Sequence, residues 1–413
     1  MADWRRVDGG VTAPKGFRAA GMAAGLKPSG AADLALIVSD TAAIAAGVFT
    51  TSQVRAACVD YCQQQLEAKA AAQAILVNAG QANACTGAQG WRDAVTSAEA
   101  VAQALNLSVE SVLVASTGVI GQPINMAALT AAIPTLVNHL SDRGSDAAAQ
   151  AIITTDLVPK SIALEMDLDD RPVRVGGIAK GSGMIHPNMA TLLAFVTCDA
   201  TVSPPLWQAM LRRAADRSFN QITVDGDTST NDSLLALANG QSRAAAITEP
   251  GPAADRLEAM LTEVCAHLAR AIARDGEGAT CLLQVRVSGA PDDPAARLVA
   301  RTIAGSALTK AAIFGRDPNW GRIAAAAGRS GVSFDQGNLR IQLGDFLLMD
   351  HGQPLDFDRP AASAYLKQAS TGEYLKTDTV DIQVAIGTGP GTGVAWGCDL
   401  SYDYVRINAE YTT

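Results

Sequence analysis

Short apolar runs recur along the chain and predict buried strands at Leu34–Val38, Ile75–Val77, Val112–Ala115, Leu192–Val196, Leu282–Val287 and Ile382–Ile386. Helical spacing fills the intervals, at Arg92–Leu105, Met126–Leu140, Pro205–Arg217 and Ala253–Arg274. The last is the clearest, because Leu257, Met260, Leu261, Val264, Leu268 and Ile272 fall on one face of a helix. Beyond about Leu282 strand-like segments predominate, including Leu298–Ile303, Leu339–Leu343 and Val380–Ile386. The pattern predicts a mixed α/β protein with helices packed over sheets. At 413 residues the chain exceeds one ordinary core, so two domains or two large lobes are expected.

Composition narrows the function classes. Hydrophobic residues make up 48% and charged residues 18%, the balance of a well-packed globular protein. The net charge of -9, without a Lys/Arg stripe, argues against nucleic acid and against an anionic membrane surface. Small-molecule substrates remain. No apolar signal-type segment opens the chain and no 18-residue apolar run interrupts it, so a cytoplasmic location is expected. Seven cysteines at irregular spacing and four histidines (His139, His186, His267, His351) give neither a disulfide framework nor a metal-ligand pattern. No metal is expected.

The most unusual seam is KGSGMIHPNMAT, Lys180–Thr191, feeding an apolar run. Two glycines and a proline restrain a loop that delivers a hydroxyl residue to a strand. A threonine that becomes an N-terminus carries its own general base, since an α-amine titrates near ~7.7–8.0. Cleavage before Thr191 would create that amine. On local pattern alone, a β-branched residue opening a strand explains Thr191 as well. ASTGVIG, Ala115–Gly121, offers the Thr117 hydroxyl and the Gly118 amide as an oxyanion hole, or a plain turn. Thr154, Thr155 and Asp156, with Lys160 close behind, could bind a polar substrate, or Asp156 could cap a turn. Lys180 could hold a carboxylate or stay a solvated loop lysine. Glu277, flanked by Gly276 and Gly278, could meet an ammonium or end a helix in solvent. Asn408 and Thr413 sit in a tail of the kind that usually frays. Asp225–Asp232, DGDTSTND, lacks the glycine and terminal glutamate of a calcium loop and reads as a polar turn at or near a site. GTGPGTG at Gly387–Gly393 lacks the Lys-Ser/Thr of a phosphate-binding loop.

KGSGMIHPNMATLLAFVTCDA resembles the self-processing segment of the ornithine acetyltransferases, also called bifunctional glutamate N-acetyltransferases. The resemblance runs nearly the whole chain. It includes GGVTAPKGFRAAG (Gly9–Gly21), NAGQANACTG (Asn78–Gly87), TTDLVPK (Thr154–Lys160), FNQITVDGDTSTNDS (Phe219–Ser233), RDGEGAT (Arg274–Thr280), KAAIFGRDPNWGRI (Lys310–Ile323) and AWGCDLSYDYVRINAEYTT (Ala395–Thr413).

The resemblance implies a layered α/β/β/α self-processing fold, cut between Ala190 and Thr191 into fragments 1–190 and 191–413 that assemble as an α2β2 heterotetramer. It implies that Thr191 takes the acetyl group of N-acetylornithine, releases ornithine and passes the acetyl to glutamate, giving N-acetylglutamate for arginine biosynthesis. Thr117 and Gly118 would stabilise the oxyanion. Thr154, Lys180, Thr191, Glu277, Asn408 and Thr413 would contact substrate, Glu277 taking the ammonium. No cofactor is required, and acetyl-CoA is a further acetyl donor for some members. Two other readings share these residues: a self-processed aminopeptidase or amidase that passes the acyl group to water, and an uncut amino-acid-binding relative.

Overall fold

The computed structural model describes residues 4–186 and 192–410. Ala190, Thr191 and Thr413 lie outside the described residues.

Two mixed sheets organise the chain. The first contains β1 (Trp4–Val7), β2 (Phe17–Met22), β3 (Leu34–Phe49), β4 (Ala71–Gln81), β5 (Val112–Val119), β6 (Lys160–Leu168), β7 (Arg171–Lys180), β8 (Leu193–Cys198) and β9 (Ser233–Ala238). Their order is β1-β6-β7-β8-β9-β3-β4-β5, with β2 also paired to β3. The second holds β10 (Leu282–Gly289), β11 (Arg340–Leu343), β12 (Phe346–Asp350), β13 (Gln353–Pro354), β14 (Thr379–Ala385) and β15 (Gly389–Cys398), in the order β13-β12-β11-β14-β10-β15.

β3 is the corner of the first sheet. Leu34–Val38 pair with both β2 and β4, the register shifts between Val38 and Ala43, and Ile44–Phe49 pair with β9. Such an irregularity bends a strand and raises its twist. The two parts of the sheet can therefore face one another. Leu193 and Phe195 of β8 join one core with Leu36, Ile75 and Leu113 of β3–β5. The alternate residues Ala194, Val196 and Cys198 join a second core with α5 (Pro204–Asp216) and α6 (Pro252–Arg274). On the far side of β3–β5 lie α1 (Ala57–Ala68), α2 (Gly87–Leu105) and α3 (Met126–Asn138). This is the layered α/β arrangement expected from the sequence. A strand buried on both faces must read as a continuous apolar run, as LLAFV does.

α4 (Ser145–Ile152) packs on β2 and β3 and precedes the Thr154–Asp156 turn. α6 reaches both sheets, touching β6, β7 and β15.

The second half corrects the expectation of strand predominance. Leu298–Ile303 is not a strand but part of α7 (Asp293–Ala304). Asp292 caps it by accepting the Ala295 amide, Pro294 sits in its first turn, and Ala296, Val299, Ala300 and Ile303 form its buried stripe while Leu298 is exposed. A six-residue apolar window does not separate helix from strand. Helices α8 (Ala307–Phe314), α9 (Trp320–Gly328) and α10 (Arg359–Ala369) add to this half. Tyr402–Glu410 form α11. No helix of the described residues is long and apolar enough to cross a membrane.

Candidate active site

A cavity of about 330 Å3 opens where β5 and β7 end and β8 begins. Thr117, Gly118, Thr154, Lys180, Glu277 and Asn408 all line it, as do Leu192 and Leu193, which follow Thr191 directly. Asp156 and Lys160 do not line it, whereas the described residues that the resemblance assigns to the site all reach this one space. They come from positions up to 291 residues apart, between Thr117 and Asn408.

Backbone pairing sets the outer geometry. Gly118 lies opposite Gly80 in the parallel β4–β5 pair, at φ +128°. A Cβ there would fall 2.3 Å from the Gly80 carbonyl, so only glycine fits. The preceding Thr117 is buried, and its Oγ1 accepts from Lys180 Nζ at 3.2 Å. A hydroxyl that accepts from an ammonium still has its own proton to donate. Thr117 O–H and the Gly118 amide are thus candidate donors to one developing oxyanion.

Lys180 ends β7 opposite Leu193 of β8, which places it beside the seam. Burial pulls its pKa below the ordinary lysine value, and Asp156 opposes that shift. Asp156 is the hub beneath it. Its carboxylate accepts from the Gly181 amide at 2.6 Å, the Thr154 amide at 3.1 Å and Lys160 Nζ at 2.7 Å. Lys160 also meets Asp275 at 2.6 Å, and all three side chains are buried. Burial alone would raise the Asp156 pKa, but Lys180 and Lys160 outweigh it and hold the group at about 2. The local reading of Asp156 as a turn cap captures only its bond to Thr154. The bonds to Gly181 and Lys160 and the link to Asp275 were missed, since a residue 119 positions downstream leaves no local signal.

Glu277 enters from the loop after α6. Its amide donates to Ser182 O at 3.1 Å, and Ser182 Oγ donates to Asp275 O at 2.7 Å. Gly183 lets the carboxylate in, because a Cβ at that position would sit 2.5 Å from its oxygens. Asn408 Nδ2 donates to Glu277 Oε2 at 2.8 Å from α11, so the tail covers the acid. Ser401 Oγ fixes the start of that helix by donating to Gly278 O at 2.6 Å.

The polar turn Asp225–Asp232 does reach the cavity, through Ser229–Asp232. Asn231 Nδ2 bridges Ala82 O and Ser116 O, binding the turn to the ends of β4 and β5. Asp225 accepts the amides of Met184 and Ile185. His186 is a loop residue, with Nδ1 2.9 Å from Thr223 Oγ1, and burial lowers its pKa. Among the described residues no group of three His, Cys, Asp or Glu converges as metal ligands.

The arrangement offers a cation for a carboxylate, an anion for an ammonium and two donors for an oxyanion, around the residues that follow a threonine. The ArgJ family model matches residues 18–413. The chain is 72% identical to the arginine biosynthesis bifunctional protein ArgJ of a Synechocystis species, covering 100% of both chains. It is 74% identical, with the same full coverage, to the arginine biosynthesis bifunctional protein ArgJ 1 of a Nostoc species. A crystal structure of the arginine biosynthesis bifunctional protein argJ from Bacillus halodurans is 45% identical, covering 52% of this chain and 98% of that one at a TM-score of 0.49. With a family match of this extent and relatives this close over their whole length, the chain belongs to the ArgJ family.

Proposed function

We propose that this chain is a self-cleaving glutamate N-acetyltransferase of arginine biosynthesis that moves the acetyl group of N-acetylornithine to glutamate through an acetyl-Thr191 intermediate. The observation that carries the reading is the convergence of Thr117, Gly118, Thr154, Lys180, Glu277 and Asn408 on one cavity at the start of β8.

The first reaction is the cut. The Thr191 hydroxyl attacks the Ala190 carbonyl, the peptide nitrogen leaves as the threonine amine, and water opens the resulting ester. The second reaction uses that amine as base. It takes the Thr191 hydroxyl proton as the oxygen adds to the acetyl carbonyl, and Thr117 O–H and Gly118 N–H stabilise the oxyanion. The proton passes to the ornithine nitrogen, the amide C–N bond breaks and ornithine leaves. The glutamate amine attacks the acetyl ester, Thr191 recovers its proton, and N-acetylglutamate departs. Lys180 and Thr154 hold the substrate carboxylate, and Glu277, steadied by Asn408, holds the side-chain ammonium. Thr413 contacts the same substrate. Acetyl-CoA is a second donor, a reading supported by the word bifunctional in the relatives' names. Their placement in arginine biosynthesis supports transfer to an amino acid over transfer to water. The fragments work as an α2β2 heterotetramer in the cytoplasm.

Denaturing mass spectrometry before and after incubation with N-acetylornithine tests both reactions. Two fragments divided at Ala190/Thr191, the second gaining an acetyl group, are expected. Thr191→Ala should abolish cleavage and transfer together, and wild-type transfer by that variant would overturn the mechanism.

A further inference from the structure

A second cavity, larger than this site, lies away from it and shares no residue with it. Its volume is about 740 Å3, and it sits between α6 and the open face of the second sheet. Five arginines line it, Arg217, Arg270, Arg286, Arg297 and Arg340, against the carboxylates of Glu263 and Asp293. No lysine is among them. In a chain of net charge -9 the lining itself carries five cations against two carboxylates.

The strands show why the face is open. On β10, β11 and β14 the inward residues Val285, Val287, Ile341, Leu343, Ile382 and Val384 are buried in the third core. The alternating residues on the other side are polar, with Arg286 and Arg340 about half exposed. The apolar residues at one end of this face, Leu282, Trp396 and Cys398, are buried in the second core with α6, which leaves the polar end open. Trp396 closes one end, with the Arg270 guanidinium carbon 6.0 Å from its ring centre.

Neutralisation of the arginines is incomplete. Arg270 meets Glu263 at 2.9 Å and Arg286 meets Asp381 at 3.0 Å. Arg340 meets Asp350 at 3.4 Å, whereas Arg217 lies 3.8 Å from a Glu258 already engaged by Arg213 at 2.6 Å. Arg297 makes no ion pair among the described residues. Guanidinium forks are suited to tetrahedral and planar oxyanions, which they grip with two parallel hydrogen bonds. The volume exceeds what one amino acid fills.

We propose that this cavity is a second binding site, for an organic phosphate of nucleotide size. The arginines take the phosphates, and the nucleoside portion lies on the floor near Trp396.

Titration calorimetry of the full-length protein with ADP, adenosine and inorganic pyrophosphate tests this at low salt. ADP should bind with Kd below about 1 mM, adenosine should not, and pyrophosphate should bind more weakly than ADP. Affinity should fall as salt rises, since phosphate contacts are screened. Arg297→Ala, and Arg286→Ala with Arg297→Ala, should weaken ADP by about tenfold or more while acetyl transfer from N-acetylornithine to glutamate persists. An ADP affinity unchanged by the double substitution would overturn the assignment, as would no ADP binding at about 1 mM. Equal binding of pyrophosphate and ADP would remove the nucleoside portion. A double variant that alters assembly size, in a protein whose wild type ignores ADP, would make the face a subunit contact instead. The comparison of ADP with adenosine on the wild-type protein stands whether or not the variants fold.

Discussion

Both carboxylate oxygens of Asp225 engage one short segment: Oδ2 accepts the Met184 amide at 2.6 Å and Oδ1 the Ile185 amide at 2.9 Å. Met184 holds a left-handed φ of +57°, which costs a non-glycine residue on the order of 1–2 kcal/mol. The clasp therefore fixes a disfavoured turn just upstream of Ala190–Thr191, and Thr228 Oγ1 donates to His186 O at 3.0 Å to extend it.

Asp225→Ala should let that turn relax and slow self-cleavage by about tenfold or more, the equivalent of ~1.4 kcal/mol in the barrier. A time course on denaturing gels reads the uncut chain directly. Met184→Gly keeps the same backbone angles without the penalty and should process at the wild-type rate. Arrested processing in that variant would show that strain, rather than position, is what the clasp supplies.

Gly183→Ala probes Glu277 without altering it. The added methyl would meet a flexible carboxylate rather than backbone, so Glu277 should swing aside while the fold persists. Its KM for N-acetylornithine should rise by roughly 10–100-fold, the worth of a hydrogen bond to a charged group, with Glu277→Ala giving the same direction. Steady-state kinetics check this, and an unchanged KM in Glu277→Ala would remove the residue from the ammonium role.

Gly118→Ala should act on the chemical step. Its Cβ cannot avoid the Gly80 backbone, so the amide must move. Loss of one oxyanion donor lowers kcat by about 100–1,000-fold. The check is kcat with far-ultraviolet circular dichroism on the same sample, to separate displacement from unfolding.

The Asp156 carboxyl predicts an acid response. Its folded pKa of about 2 lies below the ordinary 3.8 because Lys180 and Lys160 outweigh burial. A depressed carboxyl contributes stability that is fully present above the unfolded value and is lost as pH falls from about 4 to 2. Asp156→Asn should therefore cost roughly 3–5 kcal/mol near neutrality, where it breaks a buried pair. The wild-type advantage in urea midpoint should shrink between pH 7 and pH 3.

The sequence carried the first half of the fold well, for a physical reason. Runs such as Ile75–Val77 and Val112–Ala115 are buried on both faces, so they stand out without context. α6 announced itself through a full amphipathic stripe. Leu298–Ile303 misled because six residues span less than two helical turns, too few to show the stripe of Ala296, Val299, Ala300 and Ile303. The corner in β3 was invisible, since Ser39–Ala42 carry no mark of a register shift. At the site, Thr191 and Lys180 fall close together in the chain, whereas local pattern offered Thr117 as equally a plain turn and Glu277 as equally a solvated helix end, and Asn408 entered by resemblance alone. Spacing could not have joined them, because it is the bend in β3 that brings β5 to β7.

The position of β8 and β9 has a consequence for what a cut at Ala190–Thr191 would leave behind. Both strands follow the cut, yet they sit between β7 and β3, which precede it. The products are interleaved halves of one sheet, not neighbours that share a border. Each half alone would expose two unpaired strand edges at the breach and a stripped core. Scission would turn a single chain into a two-part molecule held by ladders rather than by covalent continuity. Its halves should survive only as a pair, born together from one precursor and resistant to exchange with those of another.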